Sequence, residues 1–121
     1  MDRKKWVTRI KEVSKAAGTY HEYFDPVIDT LASILERRDK AEELFVKEGE
    51  EVIVEHTNKG GATNMEQNPI LRLINDLNRD ALAYWRDLGL TPAGLKKLND
   101  AALKQEKKVS ALAEAIKALG G

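Results

Sequence analysis

Apolar residues recur every three or four positions along most of the chain, which is the pattern of amphipathic α-helices. The first two stripes predict one helix over about residues 2–17 and another from Pro26 to about Glu48. The residues of these stripes are Trp6, Ile10, Val13 and Ala17, followed by Val27, Leu31, Ile34, Leu35 and Phe45. Gly18 follows the first stripe and can end that helix, because glycine readily adopts the left-handed conformation found after helix C-termini.

The strongest helical pattern runs from Pro69 to about Leu88, where the apolar stripe is about 120° wide. Its members are Ile70, Leu73, Ile74, Leu77, Ala81, Tyr84, Trp85 and Leu88. Leu71 and Leu82 lie beside this stripe, eleven residues apart, and widen the apolar face beyond the need of one small core. The helix is therefore either buried on two sides within one chain or in contact with another subunit, and the second interpretation is favoured.

Each of the three prolines follows a residue that can cap a helix, in the pairs Asp25-Pro26, Asn68-Pro69 and Thr91-Pro92. A cap side chain accepts hydrogen bonds from the free N–H groups of the first turn, and proline at the first helical position has no N–H to satisfy. The three pairs therefore predict three helix starts. The last pair opens a short helix after Gly89, which is expected to end the preceding helix.

The C-terminal residues predict a separate short helix with Ser110 as its cap. Its apolar side consists of Leu112, Ala115, Ile116 and Leu119. A helix of about nine residues is unstable alone, so this one is expected to dock on its own core or on a partner.

Residues 49–68 form a long connection for a small domain, and Val52, Ile53 and Val54 favour a short extended segment within it. The chain is therefore predicted to be a single all-α domain, a small bundle of about four to five helices. Its expected parts are an N-terminal helical hairpin (1–48), the central loop (49–68), an oligomerisation helix with the following turn (69–104) and a C-terminal docking helix (105–121).

Charge is unevenly distributed, although 20 basic and 20 acidic side chains give a formal net charge of zero. Residues 1–24 carry +3, residues 25–58 carry −6 and residues 59–121 carry +3. This polarity fits ordinary solvated helix faces, a contact between unlike surfaces of neighbouring copies, or a basic rim for polyanions. Arg38 and Glu42 have the i,i+4 spacing of an ion pair, which fits either a solvated face or a charged contact between subunits.

Residues with catalytic chemistry are scarce in this chain. It has no cysteine and only two histidines, and Lys59-Gly60-Gly61 lacks the rest of a nucleotide-binding P-loop. No recognised metal-ligand spacing is present. No apolar run reaches the roughly 18 residues that a membrane span needs. An enzymatic activity, a cofactor, a metal site and a membrane partner are therefore not expected.

Three aromatic residues, Tyr20, Tyr23 and Phe24, lie in the connection between the first two helices. Exposed aromatic rings can stack on nucleic-acid bases. Packing beneath the turn, where the rings would fix the angle between the helices, is the favoured interpretation.

Several short motifs occur in a fixed order along the chain. These are a Tyr-rich turn into Asp25-Pro26, then Lys59-Gly60-Gly61, Asn68-Pro69, and Leu-Gly-Leu-Thr-Pro-Ala-Gly-Leu-Lys-Lys-Leu over residues 88–98. In this order and spacing they resemble the small subunit of tailed-phage terminases. The resemblance covers the chain from about residue 20 onward. It assigns structural roles to Gly60, Gly61, Asn68, Pro69, Leu88, Gly89, Leu90, Thr91 and Pro92. Many family members have arginine soon after the Thr-Pro turn, whereas this chain has Gly94 and then Lys96 and Lys97.

The resemblance implies a non-enzymatic factor that recognises the packaging start on viral DNA and delivers it to the large terminase subunit. It also implies a homo-oligomeric ring that acts in the host cytoplasm during phage assembly. The DNA-binding candidates are Arg3, Lys4, Lys5, Lys59, Lys96, Lys97, Lys104, Lys107 and Lys108. The oligomer interface candidates are Leu71, Leu82, Arg38 and Glu42. The alternative function is a helical protein–protein adaptor or regulator without DNA binding of its own.

Overall fold

The computed structural model describes residues 1–120, which form a mostly helical protein with one β-hairpin. The elements are α1 (Arg3–Ala17), α2 (Asp25–Lys47), β1 (Ile53–Thr57), β2 (Thr63–Gln67), α3 (Pro69–Asp87) and α4 (Pro92–Leu119). A single 3₁₀ turn, Glu22–Phe24, connects α1 to α2. The helical class predicted from the sequence is confirmed, but the central loop holds two paired strands rather than one short extended segment.

Two of the three predicted helix caps are present. The Asn68 side chain accepts a hydrogen bond from the Ile70 amide at 3.0 Å, and Thr91 Oγ1 accepts one from the Gly94 amide at 3.1 Å. Each cap precedes a proline in the first turn, as the sequence predicts. The starts of α3 and α4 are therefore fixed locally by their own residues.

The predicted cap at Asp25 is wrong. The α2 helix begins one residue earlier than expected, at Asp25 itself, and Phe24 occupies the cap position without a side-chain hydrogen bond. The Asp25 carboxylate instead accepts a hydrogen bond from Tyr20 Oη at 2.9 Å and lies 3.8 Å from Lys11 Nζ. A cap residue can exchange its local partner for distant ones, and here these partners connect α2 to α1 and its following turn.

Glycines end α1 and α3 in the way that the sequence predicts. Gly18 and Gly89 both have a φ of 74°. After α3, the Gly89 amide donates to the Arg86 carbonyl at 2.9 Å and the Leu90 amide donates to the Trp85 carbonyl at 2.8 Å. This paired hydrogen bonding is a Schellman motif, which satisfies carbonyls that the helix end leaves free.

The core is formed where α2 packs against both α1 and α3. Its buried members are Ile10, Ile28, Leu31, Ala32, Ile34, Leu35, Leu77, Ala81 and Leu88. Complete burial of each large aliphatic side chain stabilises the fold by roughly 1.5–3 kcal/mol. The stripes predicted from sequence contain most of these residues, but they omit Ile28 and Ala32. They also include Leu73, which is 49% exposed.

The hairpin is antiparallel and pairs Ile53 with Gln67 and Thr57 with Thr63. Asn58 organises its turn, because its Oδ1 accepts from the amides of Gly60 at 2.9 Å and Ala62 at 3.0 Å. At the other end of the hairpin, the Asn68 amide donates to the Val52 carbonyl at 2.8 Å. The central segment is therefore anchored at the base of α3 and projects from it as a two-stranded ribbon.

The α4 helix is continuous over 28 residues, which corrects two predictions. A short helix ending near Leu98 and a separate helix starting at Ser110 are both wrong, because residues 99–109 remain helical. Alanine, leucine, lysine, glutamine and glutamate dominate this stretch and are strong helix formers. Every residue from 99 to 120 is exposed, so the last turns do not dock on the core of their own chain.

Candidate nucleic-acid interface

Five of the candidate lysines lie on α4, and all five are exposed. They form two rows along the helix: Lys97, Lys104 and Lys108 in one, and Lys96 and Lys107 in the other. At a rise of 1.5 Å per residue, the first row spans about 16 Å. Because α4 is a single helix rather than two short ones, the five charges have a fixed spacing that could match successive phosphates.

Acidic residues lie among the lysines of α4, but they do not neutralise the positive charge of the helix. The helix carries six lysines against three acidic residues, Asp100, Glu106 and Glu114, for a net charge of +3. Asp100 lines a shallow depression of about 470 Å³ together with Lys96, Lys97 and Lys104. The basic surface is therefore strongest between residues 96 and 108.

The three candidates at the start of α1 have different environments. The Arg3 guanidinium forms a two-point ion pair with Asp29, in which Nε donates to Oδ1 at 2.8 Å. Its hydrogen bond holds the pKa of the Asp29 carboxyl below the ordinary value. Lys4 and Lys5 are exposed, and neither forms an ion pair within residues 1–120. Arg3 thus contributes to the packing of α1 on α2, and the two lysines remain available to a polyanion.

Lys59 lies exposed in the turn of the hairpin. It is the only lysine or arginine between residues 48 and 71, whereas the same segment contains five glutamates: Glu48, Glu50, Glu51, Glu55 and Glu66. An acidic ribbon with one lysine at its tip is a poor surface for DNA phosphates. The glycines beside Lys59 serve the turn, since Gly61 has a φ of 82°.

The oligomer candidates on α3 differ in exposure: Leu82 is 49% exposed and Leu71 is half-buried. The sequence did not reveal an apolar groove of about 410 Å³ between α2 and α3, on the other side of α3 from Leu82. Leu44 and Leu73 line it, together with Ile70 and Leu77. Leu73 is predicted to be core but is exposed. The sequence signal for a second surface was the extra width of the apolar face at Leu71 and Leu82, so it did not point to this groove.

The interface candidates on α2, Arg38 and Glu42, do not pair with each other. The Arg38 guanidinium lies 5.5 Å from the centre of the Trp6 ring and bonds Asp39 at 3.0 Å. Glu42 is exposed beside them. The expected ion-pair spacing is thus present in sequence, but long-range packing against Trp6 determines where the Arg38 side chain points.

Asp39 is the centre of a polar cluster that holds the start of α1 on α2. Its Oδ2 accepts from the N-terminal ammonium at 2.8 Å and from Trp6 Nε1 at 2.7 Å, and its Oδ1 accepts from Arg38. Burial raises the pKa of Asp39, but the hydrogen bonds from the N-terminus, Trp6 and Arg38 outweigh burial and lower that pKa below its ordinary value. The sequence offered no local signal for this cluster, because Trp6 and Asp39 are 33 residues apart.

The aromatic residues of the first connection have two different roles. Tyr20 and Phe24 pack against the core, as predicted, whereas Tyr23 is 71% exposed. The His21 ring is stacked on Tyr23 with ring centres 4.9 Å apart. The Tyr20 hydroxyl donates to Asp25, and this bond raises the pKa of Tyr20 above its ordinary value.

A family model described as phage terminase, small subunit, matches residues 3–106. The chain belongs to this family. Its members are generally non-catalytic, and membership supports a role in phage DNA packaging with DNA and the large terminase subunit as partners of the family in general. The match confirms the resemblance carried by the ordered motifs. No curated protein and no solved structure matches the chain. Within residues 1–120, no helix combines the length and apolar character needed to cross a membrane.

Proposed function

We propose that this terminase small subunit recognises the packaging start on phage DNA and delivers it to the large subunit, without catalytic activity of its own. The observation that supports this proposal is the set of exposed lysines on α4, which gives a chain of the terminase family a basic surface. Contacts from lysine to phosphate position a protein on a duplex, and the counterions that these contacts release supply much of the affinity.

DNA binding by this chain requires several copies. The formal net charge is zero, so a monomer attracts DNA only through local basic surfaces. A homo-oligomeric ring would repeat the α4 rows and the Lys4–Lys5 pair around its axis. Each weak contact would then act at the high effective concentration set by its neighbours.

The exposed side of α3 is the surface proposed to hold the ring together. Leu82 and half-buried Leu71 lie along it. The groove at Leu44 and Leu73 lies on the opposite side of α3 and is a separate apolar surface. Apolar surfaces of this kind usually contact other proteins when they are contiguous. Arg38 contributes less to this interface than proposed from sequence spacing, because its guanidinium is occupied by Asp39 and Trp6.

A salt series with three charge-matched variants tests the DNA surface. The first variant carries Lys104→Glu with Lys108→Glu on α4, the second Lys4→Glu with Lys5→Glu on α1, and the control Lys15→Glu with Lys47→Glu. Wild-type affinity for phage DNA should fall with log salt at a slope of about −0.9 per phosphate neutralised. We expect the α4 variant to flatten this slope most and the control to leave it nearly unchanged.

The same experiment distinguishes the adaptor function. If the wild-type protein is a confirmed oligomer and shows no salt-dependent binding even at low ionic strength, it does not bind DNA by itself. The apolar groove at Leu44 and Leu73 and the acidic hairpin would then favour a protein-only adaptor. Equal slopes for all three variants would show that the α4 rows are not the contact surface.

A further inference from the structure

The end of α4 presents an apolar seam that touches nothing else in residues 1–120. Val109 is 57% exposed, Leu112 62%, Ile116 61% and Leu119 89%. The four side chains follow one another at intervals of three, four and three residues, so they lie along one side of the helix. A soluble helix end rarely leaves such a continuous apolar stripe uncovered.

The seam continues a regular heptad pattern through the whole of α4. Positions separated alternately by three and four residues are Leu95, Leu98, Ala102, Gln105, Val109, Leu112, Ile116 and Leu119. Seven of the eight are apolar, and this alternation is the pattern of left-handed coiled coils. Leu95 and Leu98 are half-buried, whereas the seam beyond residue 99 is exposed. The start of the pattern is thus partly buried within its own chain, and the rest is exposed.

The chain cannot cover this seam by folding α4 back. The helix is unbroken and about 42 Å long at 1.5 Å per residue. Gly94 fixes its first turn so closely to α3 that an added Cβ would lie 2.1 Å from the Arg86 carbonyl oxygen. The seam therefore points away from its own core, and another molecule must cover it.

We propose that the seam packs against the same segment of a second copy of this chain, parallel and in register. β-branched Val109 and Ile116 occupy one heptad position, and Leu112 and Leu119 occupy the other. In parallel coiled coils this distribution favours two strands. In such a pair the positions that flank the seam are Lys108, Ala113, Ala115 and Gly120. Each Lys108 faces Ala113 of the other copy, so no like charges oppose the approach of identical copies.

Parallel pairing also leaves the α4 surface proposed for DNA exposed. Lys104 and Lys107 lie on the sides of the helix turned away from the seam. Copies joined through their seams would therefore bring lysine rows from two chains beside one another. The seam lies beyond residue 106, where the family match ends. It would be a second contact between copies, separate from the one proposed for α3.

Sedimentation velocity over a concentration series tests the seam with a charge-matched pair of variants. The seam variant carries Leu112→Lys with Leu119→Lys, and the control carries Ala111→Lys with Ala118→Lys one residue away on an outer side of α4. We expect the seam variant to weaken self-association at least about tenfold and the control to behave as wild type. Helicity should survive in both, because the segment touches nothing in its own chain. Equal association of the two variants would overturn the proposal.

A cross-link tests the parallel register directly, since the chain has no cysteine of its own. Leu112→Cys places one thiol in the seam, and Ala111→Cys is the control. Oxidation or a short bifunctional maleimide should yield covalent dimers of the seam variant and little of the control. Cross-linking no stronger than the control would contradict parallel seam pairing. Both readouts are independent of DNA, so they can fail while the proposed DNA-packaging role holds.

Discussion

Replacement of Gly94 by alanine should reveal how closely α4 approaches α3. A Cβ at this position would lie 2.1 Å from the Arg86 carbonyl oxygen and 2.9 Å from its carbon. These are backbone atoms at the end of α3, so they cannot move aside as a flexible side chain can. The substitution therefore requires the two helices to separate, or the turn at Gly89 to change.

Two opposing effects determine the magnitude for Gly94→Ala. Alanine is favoured over glycine in a helix interior by about 1 kcal/mol. Overpacking in a tight contact costs typically 1–3 kcal/mol, and a backbone obstruction lies at the upper end of that range. We expect a net loss of about 1–2 kcal/mol in the free energy of unfolding. For a domain of this size, that corresponds to a fall of roughly 3–8 °C in Tm.

Urea denaturation followed by circular dichroism measures this difference, with Ala101→Gly as the reference for helix propensity at an exposed position of α4. Ala101→Gly should lose about 1 kcal/mol from propensity alone. If Gly94→Ala instead gains about that amount, propensity alone governs the site. The close approach of α4 to Arg86 would then be wrong, and so would the direction assigned to the helix.

Three further outcomes are expected. Leu71→Glu with Leu82→Glu should dissociate the oligomer in native mass spectrometry while helicity survives; outright unfolding would show that these leucines belong to the core. Ser14→Ala should raise stability by about 1 kcal/mol in urea denaturation, because the buried Ser14 hydroxyl has no hydrogen-bond partner within residues 1–120; a loss would indicate a partner for that hydroxyl. The lowered pKa of Asp39 means that its contribution to stability is complete above the ordinary value of 3.8 and is lost as pH falls through the folded-state pKa. Acid unfolding should thus be less steep in Asp39→Asn, and an unchanged acid limb would contradict the role of the Asp39 cluster.

Features specified by neighbouring residues were predictable from the sequence. Asn68 and Thr91 cap helices whose first N–H groups lie two or three residues away, and Gly89 ends α3 through bonds to its last turn. Such interactions depend on short segments of chain. The ordered motifs that contain these residues also led to the terminase family, which the family match confirms.

Features that depend on distant partners were not predictable. Asp25 has the identity of a cap, but Tyr20 and Lys11 occupy its carboxylate. Arg3 resembles its neighbours Lys4 and Lys5 in sequence, and only its pairing with Asp29, 26 residues away, separates them. Side-chain identity gives the possible partners, and packing selects among them.

Two elements were misjudged because their local signals were incomplete. Ser110 can start a helix, but it does not interrupt one that strong helix formers have already extended to it. The second hairpin strand, Thr63–Gln67, has no alternation of apolar and polar residues, so its sequence did not predict a strand. Glycines at positions 60 and 61, after the Val52–Val54 run, were the available signal for a hairpin turn.

Capture of the large terminase subunit on packaging-start DNA measures whether this chain delivers DNA to that subunit. Immobilised DNA would be incubated with the large subunit alone, with wild-type small subunit, or with the Lys104→Glu, Lys108→Glu variant. We expect the wild-type chain to increase capture of the large subunit and the variant, with its oligomeric state intact, to give no increase. Equal capture with and without the wild-type chain would contradict delivery of DNA by this protein.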